Sequence, residues 1–422
     1  MYLSFRIIYT LLMLAVISTD TMFEELGFVT YTIVISLSVP LSVLFFRQYT
    51  PYMRNWYILL SLYFSFCIFE SYYFYNTPMK YNHVFAKIMV FYLIFSIYGF
   101  YKRFDKIRVM DIVLIYLTGF VLNAVLINSA AFSLSAFATN HRGLSSESVY
   151  GMTLVVVYFF NKYFSSRNII YLLCFYAAIG IVLFLQHRTV WLCTGLALFI
   201  NFLFISRSPV KIDVPSLIPV AISLLLMSMS LGVVIVSNEK VMARIEKSIE
   251  DISNPTGNDK DDEVSTSEWR YMQFQSYWPF VEERFLLGWR LEGFELPVQF
   301  IDPSGVMIWE DNTGHHFHSF YMDRLFYEGV LGLFLTVIPA FIYVFALTLR
   351  KKIFSVDQIS LFAFIITGLL YGVSWDWQIY YIGILGYAIF KLEQNSVEPK
   401  PVETQENKFP KDTKNKKELI YS

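Results

Sequence analysis

Three of the chain's six histidines lie within four residues of one another, in the segment His315-His316-Phe317-His318. An imidazole titrates near neutral pH, so it can take a proton from a hydroxyl group or donate a hydrogen bond to a phosphate oxygen. The segment stands where a long polar stretch ends and an apolar stretch, which includes Tyr321, begins. Ionisable groups at such a boundary either carry chemistry or only anchor a helix at the interface. The histidines alone favour neither interpretation.

Four arginines lie near apolar–polar boundaries or beside tryptophan: Arg188, Arg270, Arg290 and Arg324. The planar guanidinium group suits phosphate and pyrophosphate oxygens, so each arginine is a candidate for binding an anion. Three of them also have a plainer explanation. Arg188 can reach the interface with its charged end, and Arg270 can be solvated on a loop helix. Arg324 can pair with Asp323 beside it or with a neighbouring helix.

The composition predicts an all-α protein that crosses a membrane many times. The chain has 422 residues, of which 56% are hydrophobic and only 16% charged, whereas soluble domains carry about 25% charged residues. Apolar stretches of the length needed to cross a bilayer recur along most of the sequence. We predict twelve spans, at 5–19, 27–46, 56–75, 85–101, 110–132, 149–161, 169–185, 189–205, 216–236, 319–349, 359–373 and 377–390.

Positive charge alternates between the connections, which predicts the orientation. Lysines and arginines follow every second span, as in Arg350-Lys351-Lys352, and the intervening connections carry few. The positive-inside rule then places both termini in the cytoplasm. The chain divides into spans one to nine at 1–236, a large external loop at 237–318, spans ten to twelve at 319–390, and a disordered cytoplasmic tail at 391–422.

The external loop carries sixteen acidic and seven basic residues, so its overall charge does not attract anions and any anion site must come from individual basic residues. Asn238 can cap a first loop helix. Ser265-Thr266-Ser267-Glu268 has the spacing of a capping box and predicts a second helix that carries Trp269 and Arg270. The acidic run from Asp259 to Glu263 lacks the spacing of a calcium-binding loop, so we interpret it as a solvated turn.

No motif indicates a cofactor. Cys67, Cys174 and Cys193 lie singly in apolar stretches, without the spacing of a disulfide or zinc site. No glycine-rich phosphate-binding loop is present, and no internal repeat of the transporter type. The sequence therefore predicts no metal, no cofactor and no nucleic-acid partner.

Four stretches together resemble the O-antigen polymerase/ligase superfamily, which contains Wzy-type polysaccharide polymerases and O-antigen ligases. They are Arg188-Thr189 at the start of an apolar span, Trp269-Arg270 with Trp278 on the loop helix, Leu286-Leu287-Gly288 followed by Phe294, and His318-Ser319 with Gly329 and Gly332 eleven and fourteen residues on. Two positions depart from the pattern. Arg290 replaces the second glycine of a Leu-Leu-Gly-x-Gly turn. The family's acid nine residues after the histidine is Tyr327 here, and Glu328 stands one residue later.

The resemblance implies a metal-independent glycosyltransferase in the bacterial cytoplasmic membrane. Its donor would be a glycan on undecaprenyl pyrophosphate, joined to another lipid-linked glycan by a polymerase or to lipid A core by a ligase. We favour the polymerase, which would act at the outer face of the membrane, over the ligase. A polysaccharide transporter or flippase, which twelve spans would also suit, is the second alternative. A flippase and a chain-length regulator are also candidate partners, besides the bilayer itself.

The resemblance also implies roles for particular residues. Arg188 and Arg270 would stabilise the leaving pyrophosphate, and His318 would either take the proton of the acceptor hydroxyl or donate to the pyrophosphate. A second set of residues would bind substrate: Arg290, His315, His316, Tyr321, Arg324 and Glu328. The sequence leaves open the sugar, the linkage, the chain length and the oligomeric state.

Overall fold

The structure is a computed structural model that describes residues 24–104, 107–133, 136–137, 143–208, 266–300, 315 and 317–394, with isolated positions between 210 and 246. Several predicted features lie outside the described residues. They are the span 5–19, most of the span 216–236, the helix that begins at Asn238, the run from Asp259 to Glu263, His316, and the tail from residue 395 onward.

The described residues form helices and no strand, so the predicted all-α class is confirmed. Six helical stretches are long and apolar enough to cross a membrane, and two shorter apolar helices accompany them. The chain is a multi-pass membrane protein. The described helices are α1 (Glu24–Leu44), α2 (Pro51–Tyr75), α3 (Asn82–Met89), α4 (Tyr92–Phe104), α5 (Val109–Leu126), α6 (Ser146–Tyr150), α7 (Met152–Ser166), α8 (Ile169–Phe184), α9 (Arg188–Ile205), α10 (Thr266–Glu283), α11 (Phe320–Thr336), α12 (Ile338–Arg350), α13 (Val356–Ser374) and α14 (Ile379–Glu393).

The predicted single span 319–349 is two helices, α11 and α12, and α11 is itself broken at Gly329 (φ 65°, ψ −168°). Pro339 lies in the first turn of α12. A proline has no amide hydrogen to bond the carbonyl four residues earlier, which here belongs to Leu335. The indole of Trp56 on α2 donates to that carbonyl instead, at 2.6 Å. The break between α11 and α12 therefore leaves this carbonyl satisfied inside the membrane-spanning region.

The predicted span 110–132 ends earlier, at Leu126. Asn128 donates its backbone N–H to the carbonyl of Asn123 at 3.0 Å, and its side-chain amide to the side-chain oxygen of Asn123 at 2.7 Å. Asparagine competes for backbone hydrogen bonds in this way and ends helices. A short 3-10 turn, Ser129–Phe132, follows.

Polar and small residues join the helices where the core is tightest. The side-chain amide of Asn161 on α7 donates to Asn201 on α9 at 2.7 Å and to Ser360 on α13 at 2.8 Å. Gly386 on α14 lies so close to α4 that a Cβ there would be 2.5 Å from the carbonyl oxygen of Ile94. Hydrogen bonds between helices and small residues at close crossings are typical of membrane bundles.

The bundle has two ends, which we name by the residues that mark them. At the Glu393 end, Tyr98 and Tyr343 donate to the carboxylate of Glu393 at 2.7 and 2.6 Å, and Lys102 pairs with it at 3.0 Å. Helix α13 begins at this end and α14 returns to it, because the amide of Gln358 donates to the carbonyl of Lys391 at 2.6 Å. The turn between α13 and α14 therefore lies at the opposite end, the His318 end.

Candidate active site

The segment between α10 and residue 290 is bonded to the break in α11. Trp289 and Arg290 donate their backbone N–H groups to the carbonyls of Phe326 and Tyr327 at 2.8 and 2.7 Å. In return, Val330 and Leu331 donate to the carbonyls of Phe285 and Leu286 at 2.9 and 3.0 Å. The backbone N–H and carbonyl groups that lose their helical partners at the break therefore bond the segment after α10.

Two glycines make this contact possible. Gly288 (φ 64°) and Gly329 (φ 65°) lie back to back, and a Cβ on either would be 2.5 Å from the backbone nitrogen of the other. Arg290, at the position where the family pattern has its second glycine, also takes a left-handed φ of 48°. The turn thus keeps a left-handed backbone at this position although the residue is an arginine. The Arg290 side chain pairs with Glu70 on α2 at 2.8 Å.

Helix α10 places Trp269 and Arg270 beside the turn between α13 and α14. The guanidinium carbon of Arg270 lies 4.7 Å from the ring centre of Trp375 and 5.5 Å from that of Trp269. A cation over an indole face is held electrostatically as well as by packing. The described part of the helix begins at Thr266, one residue after the predicted cap Ser265, which lies outside the described residues.

His318 packs against the same two tryptophans. Its ring centre is 4.6 Å from Trp269 and 5.8 Å from Trp375, edge to face in both cases. The hydroxyl of the next residue, Ser319, caps α11 by accepting from Met322 N–H at 3.5 Å and donates to the carbonyl of Gly372 at 3.3 Å. His318 and Arg270, which are 48 positions apart in sequence, thus share one aromatic surround.

Arg188 reaches the same end of the bundle from another direction. It is the first residue of α9, which packs against the short helix α6. The preceding His187 bonds the carbonyl of Leu144 through Nε2 at 2.9 Å. Burial raises the pKa of Glu147 on α6, the carboxyl of Asp376 raises it further, and the guanidinium of Arg270 lowers it. Helix α6 also bonds the residues next to the turn between α13 and α14, because Tyr380 donates to the carbonyl of Glu147 at 2.8 Å. It therefore lies near both the start of α9 and the turn that carries Trp375.

His315 has a different environment from that of His318. Its Nδ1 lies 2.8 Å from the hydroxyl of Tyr277, and its backbone N–H and carbonyl both bond the hydroxyl of Tyr327, at 3.0 and 3.1 Å. Burial lowers the pKa of His315 to about 4. Its ring is therefore neutral at pH 7, and its hydrogen bonds hold the segment before α11 against α10 and α11.

The remaining predicted substrate-binding residues are buried within or beside α11. Arg324 pairs with Glu328 one turn later, and it donates to the backbone carbonyl of Lys87 on α3 at 2.8 Å. Both side chains of the Arg324–Glu328 pair are 2% exposed. The hydroxyl of Tyr321 donates to the carbonyl of Leu369 on α13 at 2.8 Å. The roles of these residues in binding substrate stay predictions.

Gly329 and Gly332 follow His318 in the family pattern, and the structure requires a glycine at each position for a different reason. Gly329 permits the left-handed break in α11. Gly332 leaves room for Glu328, because a Cβ at this position would lie 2.6 Å from the carboxylate oxygen Oε2 of Glu328. The motif spacing is therefore explained by the break and by the buried Arg324–Glu328 pair.

Comparison with protein families adds an independent observation. Residues 172–337 match the family model described as O-antigen ligase. This part of the chain is similar to the O-antigen ligase family. The predicted resemblance is thereby confirmed, and the match supports a glycan-transferring role in polysaccharide synthesis. No curated protein matches the chain.

The matched region, residues 172–337, contains every site residue predicted from the sequence, from Arg188 to Glu328. The structure adds three charged residues outside the matched region that the sequence did not single out as site residues. They are Glu147 on α6, Asp376 beside Trp375, and Lys87, which pairs with Asp323 of α11. Burial raises the pKa of Asp376, and the nearby carboxyl of Asp323 raises it further. In the sequence, Asp376 is distinguished only by its position between Trp375 and Trp377, which does not indicate a functional site.

Proposed function

We propose that this chain polymerises lipid-linked oligosaccharide repeat units into a surface polysaccharide. The donor would be a glycan on undecaprenyl pyrophosphate, at the membrane face that the charge pattern predicts to be external. The observation that carries the proposal is that Arg270 and His318 share the surround of Trp269 and Trp375 at one end of a membrane bundle.

The reaction that suits this arrangement is a displacement at the anomeric carbon of the donor. A hydroxyl oxygen of the acceptor sugar forms a bond to that carbon, and the bond from the carbon to the pyrophosphate oxygen breaks. The bonding electrons leave with the pyrophosphate, where Arg188 and Arg270 would stabilise the negative charge from fixed positions. The proton of the acceptor hydroxyl passes to His318 or to the released pyrophosphate.

Deletion of the gene followed by analysis of lipid-linked and surface glycans tests the proposal. We expect the deletion strain to lose polymer and to accumulate single repeat units on the lipid. The variants His318→Ala, Arg188→Ala and Arg270→Ala should fail to restore polymer although they insert into the membrane. Arg103→Ala, which replaces an exposed arginine at the Glu393 end, is the matched control and should restore it. Full-length polymer in a site variant would remove that residue from the mechanism.

Transfer of finished glycan to another acceptor is the second candidate, because the matched family model is described as O-antigen ligase. The same gene deletion distinguishes the ligase function from the polymerase function. A ligase deletion should accumulate long polymer that is still attached to the lipid carrier. Lipid-linked and surface glycans identical to those of the parent strain would contradict both functions.

A further inference from the structure

The segment that follows α10 changes abruptly from charged to apolar while it stays exposed. Glu282, Glu283 and Arg284 are exposed charged residues. The next three residues are large, apolar and also exposed: Phe285 is 49%, Leu286 65% and Leu287 43% accessible. We call these three residues the 285–287 turn. Adjacent apolar side chains of this size are uncommon on a surface that faces water, and they indicate a contact.

The depth of the 285–287 turn follows from its hydrogen bonds to α11. Phe285 and Leu286 accept from Val330 and Leu331 at 2.9 and 3.0 Å, so the turn lies level with these two residues. The stretch from Gly329 to Leu349 contains no charged residue. At 1.5 Å per helical residue its 21 residues span about 30 Å, which equals the hydrocarbon thickness of a bilayer.

This length predicts that Gly329 lies at the boundary of the hydrocarbon region on the His318 side. Asp323, Arg324 and Glu328 lie on the polar side of that boundary, and Val330 and Leu331 lie on the apolar side. The 285–287 turn would thus be held just inside the hydrocarbon. An ion pair between Arg284 and Glu292 flanks the turn, and these side chains are 49% and 52% exposed. Long charged side chains near the membrane boundary, such as that of Arg284, can keep their charged ends in water.

Neighbouring exposed surfaces are apolar as well. Phe334 on α11, one turn below Val330, is 50% exposed, and Phe66 and Phe69 on α2 are 48% and 64% exposed. The guanidinium of Arg290 lies 6.0 Å from the ring centre of Phe66, so the turn and α2 are adjacent. The 285–287 turn continues the lipid-facing surface of the spans.

We propose that Phe285, Leu286 and Leu287 insert into the bilayer leaflet at the His318 end and contact its acyl chains. The chain predicted from sequence as a large external loop, 237–318, then re-enters the membrane at this point. This insertion ties the C-terminal end of α10 to the bilayer, while the N-terminal half of the same helix carries Arg270. The inference concerns lipid contact and does not rest on the proposed reaction.

Spin labelling tests the insertion directly. In a chain whose three native cysteines are replaced, a nitroxide is attached to Leu286→Cys, and the protein is reconstituted into vesicles of phosphatidylethanolamine and phosphatidylglycerol. Collisions with oxygen, which concentrates in hydrocarbon, are compared with collisions with a water-soluble nickel chelate. We expect the oxygen-to-nickel ratio at Leu286→Cys to match that at Leu62→Cys, a lipid-facing position on α2, and to exceed that at Glu283→Cys.

Two results would overturn the proposal. Nickel accessibility at Leu286→Cys equal to that at Glu283→Cys would place the turn in water. Low accessibility to both reagents would mean that protein, such as a second copy of the chain, covers it. If the cysteine-free chain does not fold, the same variants in the native background are treated with a membrane-impermeant maleimide. Labelling at Glu283→Cys without labelling at Leu286→Cys is then expected, and equal labelling would contradict the insertion.

Discussion

At the scale of single residues, the histidine cluster divides into side chains with different surroundings. His318 faces the two tryptophans that also contact Arg270. His315 is 2% exposed and bonds Tyr277 through Nδ1. Proximity in sequence had grouped them, because spacing alone does not show which imidazole is enclosed by protein. The chemistry we propose therefore needs His318. His315 is bonded to Tyr277 and Tyr327, and its role in binding substrate stays a prediction.

The environment of His315 predicts a loss of stability at low pH. Its pKa is about 4 in the folded chain against an ordinary value of 6.5. Between these values the unfolded chain binds more protons, so stability falls as the pH drops from 6.5 to 4, by roughly 3 kcal/mol at most. His315→Asn keeps a polar group near the Tyr277 hydroxyl but does not titrate. We expect its apparent Tm in detergent to depend less on pH in this window, whereas His83→Asn should behave like the parent.

Trp375 is the residue whose importance depends most on the structure. Its ring centre lies 4.7 Å from the guanidinium carbon of Arg270 and 5.8 Å from the ring centre of His318. Trp375→Ala would remove one of the two tryptophan contacts that each side chain makes. The loss of one cation–π contact of about 1–2 kcal/mol corresponds to roughly a tenfold loss of rate. The rate of polymer formation in isolated membranes measures this loss. Trp278→Ala on α10 is the control, and an equal loss there would indicate general damage to the helix.

The residue types of the site could be predicted from sequence, but their partners could not. Arg188, Arg270 and His318 stand out because guanidinium and imidazole groups are costly near a membrane unless they have a use. Trp375 and Asp376 carry no such signal, since tryptophan is common at membrane interfaces and one acid suits any exposed turn. Only the folding of α10 and α11 against the turn between α13 and α14 gives these two residues their neighbours.

At the scale of elements, the break in α11 shows how a distant segment determines local structure. The apolar stretch from residue 329 onward is continuous, so the sequence predicted one unbroken span at 319–349. The left-handed conformation of Gly329 depends on the backbone of residues 285–290, which lies about 40 positions earlier. Periodicity and hydropathy cannot report a partner that is remote in sequence.

The contact between Gly288 and Gly329 is the most sensitive point of this element. Gly329→Ala would place a Cβ 2.5 Å from the Gly288 nitrogen, at a φ of 65° that L-residues avoid. We expect a destabilisation of about 2–4 kcal/mol from the conformational cost and the overlap together. Thermal unfolding in detergent measures it. Gly195→Ala on α9, where a Cβ meets nothing within 4 Å, should leave stability nearly unchanged, and a similar loss there would contradict the explanation.

At the scale of the whole molecule, the predicted cytoplasmic basic residues gather at one end of the bundle. Lys102 pairs with Glu393, and Lys351 donates to the carbonyl of Leu392 at 3.0 Å. Lys162 pairs with Asp357 at the start of α13 at 3.7 Å. Charge counts along the sequence could predict this grouping, because the positive-inside rule acts on each connection separately. Which helices pack against each other could not be predicted in this way, since low-charge spans look alike.

The positive-inside rule predicts the orientation of the bundle from that grouping, and the orientation can be measured in intact cells. If the Glu393 end faces the cytoplasm, the His318 end faces outward, and exposed residues at the two ends should differ in reaction with a membrane-impermeant maleimide. Lys80→Cys lies in the connection between α2 and α3, beside Tyr81, which bonds Glu295 near the 285–287 turn. We expect it to react in intact cells, whereas Arg103→Cys at the Glu393 end should react only after permeabilisation. The opposite result would invert the topology and place Arg270 and His318 on the cytoplasmic side, where a donor predicted to be external could not reach them.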